Sequence, residues 1–299
     1  MKYIFIFIFF VFLYSEPITP IPLNIKYDKQ KARLGKLLFF DPILSKDKKI
    51  SCASCHKPNE GWSDNRKFSI GVYNRIGDIH SLTILNVRFN FKFNWNGEFD
   101  SLIDQADRAI KAYDEMDMSE KEVEERLNNS EIYKKLFKQV FHKDRVEYKD
   151  VLKAIVEFEK SLVTPNSKFD RYLKGKANLT KEEEEGYMLF KKYGCIVCHN
   201  GINIGGNSFQ KIGTIIKYPN CKNDRFSITK NPLDKCVYRV PTLRNITLRR
   251  VFFHDGSVNS IEEAVSKMAY YNLGYTLEGK DIRKIVLFLR TLTGELNEK

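Results

Sequence analysis

The sequence predicts a mainly α-helical protein that is divided into two domains. Apolar residues recur at helical spacing in several segments, whereas strand-like alternation is scarce. The pentad Cys-x-x-Cys-His occurs twice, at 52–56 and at 195–199, and each copy follows a segment of helical periodicity. With 299 residues, of which 42% are hydrophobic, the chain is long enough for two packed domains of about 100–150 residues each.

The pentad is the attachment site of a c-type haem. Its two thiols add to the vinyl groups of the haem, and the adjacent histidine becomes an axial ligand of the iron. One copy alone would also fit half of a zinc site or a dithiol redox pair. Two separate copies, each with its own histidine, favour two covalently attached haems. The predicted attachment residues are Cys52, Cys55, His56, Cys195, Cys198 and His199.

The first 15 residues have the pattern of a secretory signal peptide. Lys2 precedes the apolar run 3–14, and the small residue Ser15 follows it. The run is shorter than the roughly 20 residues that a membrane-spanning helix needs. We therefore predict export to the periplasm with cleavage after Ser15, although the large Leu13 is unfavourable and an uncleaved anchor is the alternative. Export agrees with the pentads, because c-type haem is attached outside the cytoplasm.

The two remaining cysteines and the net charge indicate the compartment and the partners of the protein. Cys221 and Cys236 lie outside the pentads, and in an oxidising compartment we expect a disulfide between them, with two free thiols as the alternative. The net charge of +12 would suit nucleic acid, but export argues against that partner. We interpret the positive surface as one that steers an acidic electron-donor protein.

The first half of the chain is predicted to be helical on both sides of a long loop. Periodicity predicts a helix over 28–40, and a stretch rich in Gly, Asn and Asp predicts a loop around the haem over 57–100. Further helices are predicted over 101–112, 119–141 and 148–163. The pattern breaks at 163–166, so we predict an N-terminal haem domain of residues 16–164.

The second half repeats the order of a helix followed by a pentad. A capping box of Thr180 and Glu183 predicts the start of the helix that leads into the second pentad. This order is the one that a cytochrome c fold requires. The polar stretch 200–238 predicts a long loop, and the last helices are predicted from Ser260 to about Tyr271 and over 280–293. Residues 165–299 are thus the predicted C-terminal haem domain, and the fold class is two cytochrome c-like domains with one haem each.

Short stretches in both halves carry a more specific signal. In the first half they are 34–42 (LGKLLFFDP), 51–56, 85–87, 94–97, 101–106 and 115–116. In the second half they are 241–245 (PTLRN), 253–256 (FHDG) and 263–268. Together they resemble the bacterial di-haem cytochrome c peroxidases, and the likeness runs from about residue 31 to residue 273. The same motifs occur in the related MauG-type di-haem enzymes.

The resemblance implies a division of labour between the two haems. The N-terminal haem would react with hydrogen peroxide, and the C-terminal haem would receive electrons from a small cytochrome c or cupredoxin. Met268 matches the family's distal methionine and would ligate the second iron together with His199, and a His/Met pair raises the reduction potential. Without the family pattern, Met268 would be taken as a core residue of a helix. MauG-type enzymes have a tyrosine in this role, and Tyr270 and Tyr271 lie close by.

The resemblance also implies an acid–base site at the first haem. Glu115 and Gln105 match the family's active-site carboxylate and its amide neighbour. Such a carboxylate is needed because peroxide must lose a proton to bind iron and the departing oxygen must gain one. Without the family pattern, Glu115 would be interpreted as a surface acid. Trp95 matches the tryptophan that carries electrons between the haems, with a packing indole as the alternative. His254 is expected to have a structural role near the second haem rather than to bind iron.

Two positions depart from the family pattern. Many members carry a histidine that blocks the first iron in the oxidised state, and this chain has Val72 there. His80 stands where the family has an asparagine ligand of an interdomain calcium, and imidazole is a poor substitute for a hard oxygen ligand, so calcium is doubtful. We expect His80 to line the pocket wall and the first iron to be open; the alternative is that His80 binds the iron as a replacement plug.

Three functions compete at this point. The leading one is reduction of hydrogen peroxide to water with electrons from a small donor protein. A non-enzymatic di-haem electron carrier is the second. Glu115, Gln105 and Trp95 together argue against it, because a carrier needs no acid–base group. The third is MauG-type oxidation of a protein substrate, which Met268 disfavours. Family analogy also predicts a homodimer.

Overall fold

Ten α-helices and one small sheet form the regular structure of residues 16–296, the part of the chain that this computed structural model describes. The predicted signal peptide, 1–15, lies outside the described residues. The helices are α1 Lys29–Phe40, α2 Leu102–Lys111, α3 Glu120–Asn128, α4 Glu131–Phe141, α5 Tyr148–Ser161, α6 Lys168–Leu173, α7 Lys181–Lys192, α8 Phe226–Thr229, α9 Ile261–Met268 and α10 Gly279–Arg290. The antiparallel strands are β1 Phe209–Lys211 and β2 Val237–Arg239. The predicted mainly α-helical fold is confirmed.

The first half is organised around the crossing of α1 and α5. Asp28 begins α1 by accepting hydrogen bonds from the backbone N–H groups of the first turn. At the crossing point a Cβ added to Gly35 would lie 1.8 Å from the carbonyl oxygen of Ala154, so only glycine permits this approach. Phe39, near the end of α1, packs edge-on against Phe158 of α5. The first pentad follows α1 after one short loop, in a single 3-10 turn.

The second half has the same arrangement around α7 and α10. The predicted capping box is present, because Thr180 accepts from the N–H of Glu183 and the Glu183 carboxylate accepts from the N–H of Thr180. A Cβ added to Gly186 would lie 1.9 Å from the carbonyl oxygen of Lys284, so glycine is again required where the helices cross. The second pentad follows α7 directly. Both pentads therefore sit beside a glycine-mediated helix crossing.

Two apolar clusters lie on the two sides of residues 164 and 165, where we predicted the domain boundary. One holds buried residues between Leu34 and Leu162, and the other holds buried residues between Phe169 and Leu292 together with Ile18. Ile18 pairs with Gly201 in an isolated parallel bridge, and the N–H of Gly201 donates to the carbonyl of Pro17. The start of the predicted first domain thus packs against the second half.

The single helix predicted over 119–141 is wrong, because the structure has two helices there, α3 and α4. Asn129 ends α3, and the hydroxyl of Ser130 begins α4 by accepting from the N–H of Tyr133. Asn and Ser side chains bond to nearby backbone groups and so favour such breaks. The apolar stripe continues across the break, which is why periodicity alone predicted one helix.

The helix predicted from Ser260 to about Tyr271 changes its geometry part of the way along. Ser260 caps its start by accepting from the N–H of Glu263, as expected. The α-helix ends at Met268, and the backbone continues as the π-helix Ala269–Leu273. Short π-helical turns occur frequently at functional sites.

The polar loop 200–238 contains structure that the sequence did not predict. Strands β1 and β2 pair across it, with Gln210 opposite Tyr238. Strands of three residues are too short for alternation to be recognised. The expected disulfide between Cys221 and Cys236 is present and closes part of this loop.

A buried hydrogen-bond network joins the two halves. The side chains of Asn86 and Asn245, one from each half, both donate to the hydroxyl of Thr164, at 2.8 and 2.7 Å. The N–H of Thr164 donates to the side-chain oxygen of Asn86 at 2.9 Å. Because these polar groups satisfy one another away from water, the network fixes the relative position of the halves.

Within residues 16–296, none of the helices combines the length and the apolar character that crossing a bilayer requires.

Candidate functional site

The first pentad opens onto a cavity whose space, including open solvent at its mouth, is about 1720 Å³. Cys52, Cys55 and His56 line it. The Nδ1 of His56 donates to the carbonyl oxygen of Trp62 at 3.4 Å, which leaves Nε2 free to bind a metal. Burial lowers the pKa of His56, so the imidazole is neutral, as a ligand must be.

Glu115, Gln105 and Arg108 line the same cavity. Gln105 and Arg108 are one turn apart on α2 and therefore share a face. The Nη1 of Arg108 lies 3.8 Å from the Glu115 carboxylate. Half of the Glu115 side-chain surface is accessible, but it faces the cavity and is enclosed by protein. This enclosure raises the pKa of Glu115 to about 7, against the opposing effect of Arg108.

A tight contact between two loops fixes the position of Glu115. The N–H of Val72 donates to the carbonyl oxygen of Glu115 at 2.9 Å. A Cβ on Gly71 would lie 2.1 Å from the carbonyl oxygen of Asp114, so glycine is needed for the loops to pack together. Val72 itself is fully buried. The residue that replaces the family's histidine therefore supports the backbone of the acid.

The second pentad opens onto a cavity whose space, including open solvent at its mouth, is about 1290 Å³. Cys195, Cys198 and His199 line it, and so does Met268 at the end of α9. Tyr270 is 44% exposed, and Tyr271 packs edge-on against Tyr218. Of the three candidate ligands, Met268 is the one whose side chain lines this cavity.

The residues around both cavities fit covalently attached haem. The four pentad thiols lie in largely buried cavity walls, and burial raises the pKa of each. Burial also lowers the pKa of His199 to about 4, which keeps its imidazole neutral. No cluster of three or more His, Cys, Asp or Glu side chains suited to a metal ion occurs in residues 16–296. The described residues thus give no support to the alternative of a zinc site.

Trp95 lies between the two cavities and lines both. Its indole Nε1 donates to the carbonyl oxygen of His80 at 2.7 Å. Its ring contacts His254 and Tyr238, with centroids 6.2 and 6.4 Å away. These last two rings stack on each other at 4.2 Å. A cluster of aromatic and imidazole rings around Trp95 therefore lies at the boundary between the two cavities.

His80 and His254 are both buried near Trp95, at the boundary between the two cavities. The N–H of His80 donates to the carbonyl oxygen of His254, and its Nδ1 lies 3.3 Å from the carbonyl oxygen of Lys67. His80 lines the first cavity, and its Nε2 is buried without a hydrogen-bond partner. His254 bonds through Nε2 to the carbonyl oxygen of Asn220 at 2.8 Å, which agrees with a structural role.

Sequence reasoning did not find several charged residues at the cavities, and four of them are buried or lie beside Glu115. They are Arg108, Glu159, Arg239 and Arg249. Glu159 on α5 lines the first cavity; burial raises its pKa to about 8, and its Oε2 has no partner. The sequence around Glu159 showed only an apolar helical stripe. The only sequence signal at Glu159 is that no basic residue lies three or four positions away on the helix to pair with it.

Two cavities, each with a pentad, meet at a buried indole, and among the described residues carboxyl groups line only one of them; this is the arrangement expected of a di-haem protein with chemically different sites. Comparison with known proteins gives the family. A family model for di-haem cytochrome c peroxidase matches residues 29–178. The cytochrome c551 peroxidase of Nitrosomonas europaea is 42% identical over 284 residues, which cover 94% of this chain and 85% of that protein. The chain belongs to the di-haem cytochrome c peroxidase family.

Two further similarities extend this assignment. The cytochrome c peroxidase Ccp of Escherichia coli is 38% identical over 94% of this chain, which spans 62% of that longer protein. The crystal structure of a MauG-like protein associated with microbial copper homeostasis superposes with a TM-score of 0.81 at 25% identity, covering 93% of each chain. The protein is thus an enzyme of the cytochrome c peroxidase class, and its family implies two haem c cofactors.

Proposed function

We propose that the protein reduces hydrogen peroxide to water at the first haem, using electrons that enter at the second haem. The reaction consumes one peroxide, two electrons and two protons and forms two waters. The observation that carries the proposal is the Glu115 carboxyl, which faces the cavity of His56 with a pKa raised to about 7. A simple electron carrier has no use for such a group.

The two cavities differ in the ligands that they offer. Cys52, Cys55 and His56 would hold the first haem, with no second protein ligand required. Cys195, Cys198, His199 and Met268 would hold the second. When bound, the haems supply the iron redox chemistry that cleaves the oxygen–oxygen bond. A domain division into 16–164 and 165–299 fits this assignment of roles, although Pro17 and Ile18 pack on the second half.

Glu115 would act as both the base and the acid of the reaction. A pKa near 7 leaves comparable amounts of carboxylate and carboxylic acid at neutral pH, so one group can accept a proton from peroxide and return it to the departing oxygen. The amide of Gln105 lines the same cavity and would orient the peroxide. Arg108 favours the carboxylate form and so keeps the base available.

Trp95 would connect the two haems electronically. Its indole lines both cavities and is held by one buried hydrogen bond to His80. Electrons from the donor would pass through this junction to the first haem. The His/Met pair at the second haem would keep its potential high enough to accept electrons from a small cytochrome c or cupredoxin.

Several features support a periplasmic enzyme with a protein donor. The disulfide between Cys221 and Cys236 suits an oxidising compartment, and the net charge of +12 would steer an acidic donor. The pattern of residues 1–15 and the homodimer remain expectations from the sequence. Calcium is doubtful because the His80 ring faces the first cavity and its backbone is bonded to His254.

MauG-type oxidation of a protein substrate is the second candidate. It is favoured by the close fold of the MauG-like structure. Met268 rather than a tyrosine lines the second cavity, and this favours the peroxidase. An absorption and magnetic resonance spectrum of a tyrosinate-ligated second haem would reverse that preference.

Glu115→Gln tests the proposal directly. The amide keeps the size and polarity of the side chain and removes the titratable proton. Turnover of peroxide with a reduced small cytochrome c should fall by about 10²–10⁴-fold, while the haem content and the spectrum of the second haem are unchanged. Glu131→Gln, at an exposed helix start, is the matched control and should have wild-type turnover. Near wild-type turnover of Glu115→Gln would make Glu115 a surface acid.

A further inference from the structure

Two buried arginines near the junction of the cavities have donors that no protein group satisfies. Arg239 is 3% exposed and Arg249 is 6% exposed. The Nη1 of Arg239 and the Nε of Arg249 are buried without a hydrogen-bond partner. Neither side chain has an ion-pair partner among residues 16–296. Buried charges in proteins are normally paired, so this arrangement requires an explanation.

The contacts of Arg239 hold its guanidinium at the boundary between the cavities, both of which it lines. Its backbone N–H donates to the carbonyl oxygen of Trp95 at 2.7 Å, and its Nε donates to the carbonyl oxygen of Asn94 at 3.2 Å. These bonds fix the side chain while its Nη1 stays free. Burial lowers its pKa to about 10, so the group is still charged at neutral pH.

Arg249 reaches the same region from the second half. It lines the second cavity, and its positive charge helps to lower the pKa of His80 in the wall of the first cavity. The only hydrogen bond of its side chain in the described residues joins Nη2 to the carbonyl oxygen of Val251, at 3.3 Å. Its pKa is also lowered to about 10 by burial.

A third buried arginine has hydrogen-bond partners for all of its side-chain nitrogens. Arg244 donates through Nη1 and Nη2 to the carboxylate of Asp170, at 3.2 and 3.0 Å. Its Nε donates to the carbonyl oxygen of Ile202, and Nη2 also reaches that of Thr19. By contrast, no carboxylate pairs with Arg239 or Arg249 among residues 16–296, and the Nη1 of Arg239 and the Nε of Arg249 have no partner there.

We infer that Arg239 and Arg249 bind the propionate carboxylates of the haems at the boundary between the two cavities. A c-type haem uses its vinyl groups for the cysteines and keeps two carboxylates, which are the anions that a cavity-facing guanidinium would pair with. The inference rests on the two haems of the proposed function, but not on the peroxidase reaction. The arginines would neutralise the propionates and thereby favour the reduced iron.

The test is a spectroelectrochemical titration of the holoprotein with both haems counted beforehand. In Arg239→Gln and Arg249→Gln the loss of positive charge should lower the reduction equilibrium constant of at least one haem by about tenfold, which is about 59 mV for a one-electron couple. Arg250→Gln replaces the exposed neighbour and is the matched control, so its potentials should equal those of the wild type. Unchanged potentials in both Gln variants with two haems present would overturn the inference.

Two further measurements distinguish the remaining outcomes. If the arginines hold a free anion instead, the wild-type potentials will depend on chloride concentration at constant ionic strength, and this dependence will disappear in the Gln variants; that result would also overturn the propionate assignment. If a Gln variant does not mature, Arg239→Lys and Arg249→Lys keep the charge but lose the planar fork. Their propionate bending bands in resonance Raman spectra should then shift from the wild-type position, and unshifted bands would refute the inference. Wild-type protein that carries no haem would instead refute the proposed function.

Discussion

The ion pair between Arg108 and Glu115 gives a quantitative prediction about the pH dependence of catalysis. Burial raises the pKa of Glu115 to about 7, and the Arg108 charge opposes that rise. The rate constant kcat/KM for peroxide should increase with pH through this pKa, because the carboxylate form accepts the proton of the incoming peroxide. Replacing Arg108 by Gln removes the opposing charge and should move the half-maximum to higher pH.

The distance sets the size of this shift. At 3.8 Å, Coulomb's law gives about 1 kcal/mol in water and about 4 kcal/mol at an effective dielectric constant of 20. Glu115 is enclosed, but 46% of the Arg108 side chain is accessible to solvent, so the Arg108 charge is screened and the lower value applies. Since one pKa unit corresponds to about 1.36 kcal/mol, the half-maximum should rise by about 0.7 unit.

The assay is steady-state peroxide consumption with a reduced small cytochrome c between pH 5.5 and pH 8.5. Lys111→Gln changes a charge one turn further along α2, where the side chain bonds to Glu120, and should leave the half-maximum in place. Glu115→Gln should lose the pH dependence together with most of the activity. A half-maximum that stays fixed in Arg108→Gln, or a pH dependence that persists in Glu115→Gln, would refute our assignment of the titrating group.

Three further predictions concern the second haem, the first haem and the fold. Met268→Ala should leave both haems attached but lower the potential of the second, because the thioether ligand is lost; an unchanged redox titration would remove Met268 from the ligand set. Electron paramagnetic resonance of oxidised wild type and His80→Ala should give a high-spin first haem in both, because Val72 cannot bind iron and we expect His80 to stay in the cavity wall although its Nε2 is free. A low-spin wild type that becomes high-spin in the variant would make His80 the plug. Gly186→Ala should destabilise the protein by about 1–3 kcal/mol through overpacking against Lys284, as measured by urea unfolding; equal or higher stability would contradict the close helix crossing.

Local signals in the sequence predicted the elements of the fold well. The helix periods and the Thr180 capping box depend on residues within one or two turns, and they are present in the structure. The break at Asn129 was missed because a continuous apolar stripe outweighed a polar pair. The packing of Ile18 onto the second half depends on a partner far along the chain, Gly201, and so has no local signal.

At the candidate site too, local motifs were predicted from the sequence, whereas features that depend on distant segments were not. The pentads are local motifs, and the structure gives each of them a cavity. Glu115 and Met268 were singled out only through the family resemblance, since each is unremarkable in its own neighbourhood. Arg239 and Arg249 were not found at all, because an arginine in sequence carries no sign that folding will bury it. Burial of a charge is decided by segments that meet only in the folded protein.

The measurement that tests the central claim most directly is the stoichiometry of donor oxidation. A reduced small cytochrome c is supplied in excess, a limiting amount of hydrogen peroxide is added, and the oxidised donor is counted by absorbance. Our account predicts two donor molecules oxidised per peroxide, at a rate that depends on enzyme concentration and collapses in Glu115→Gln. Donor oxidation no faster than in the absence of the enzyme, with both haems attached, would contradict the account.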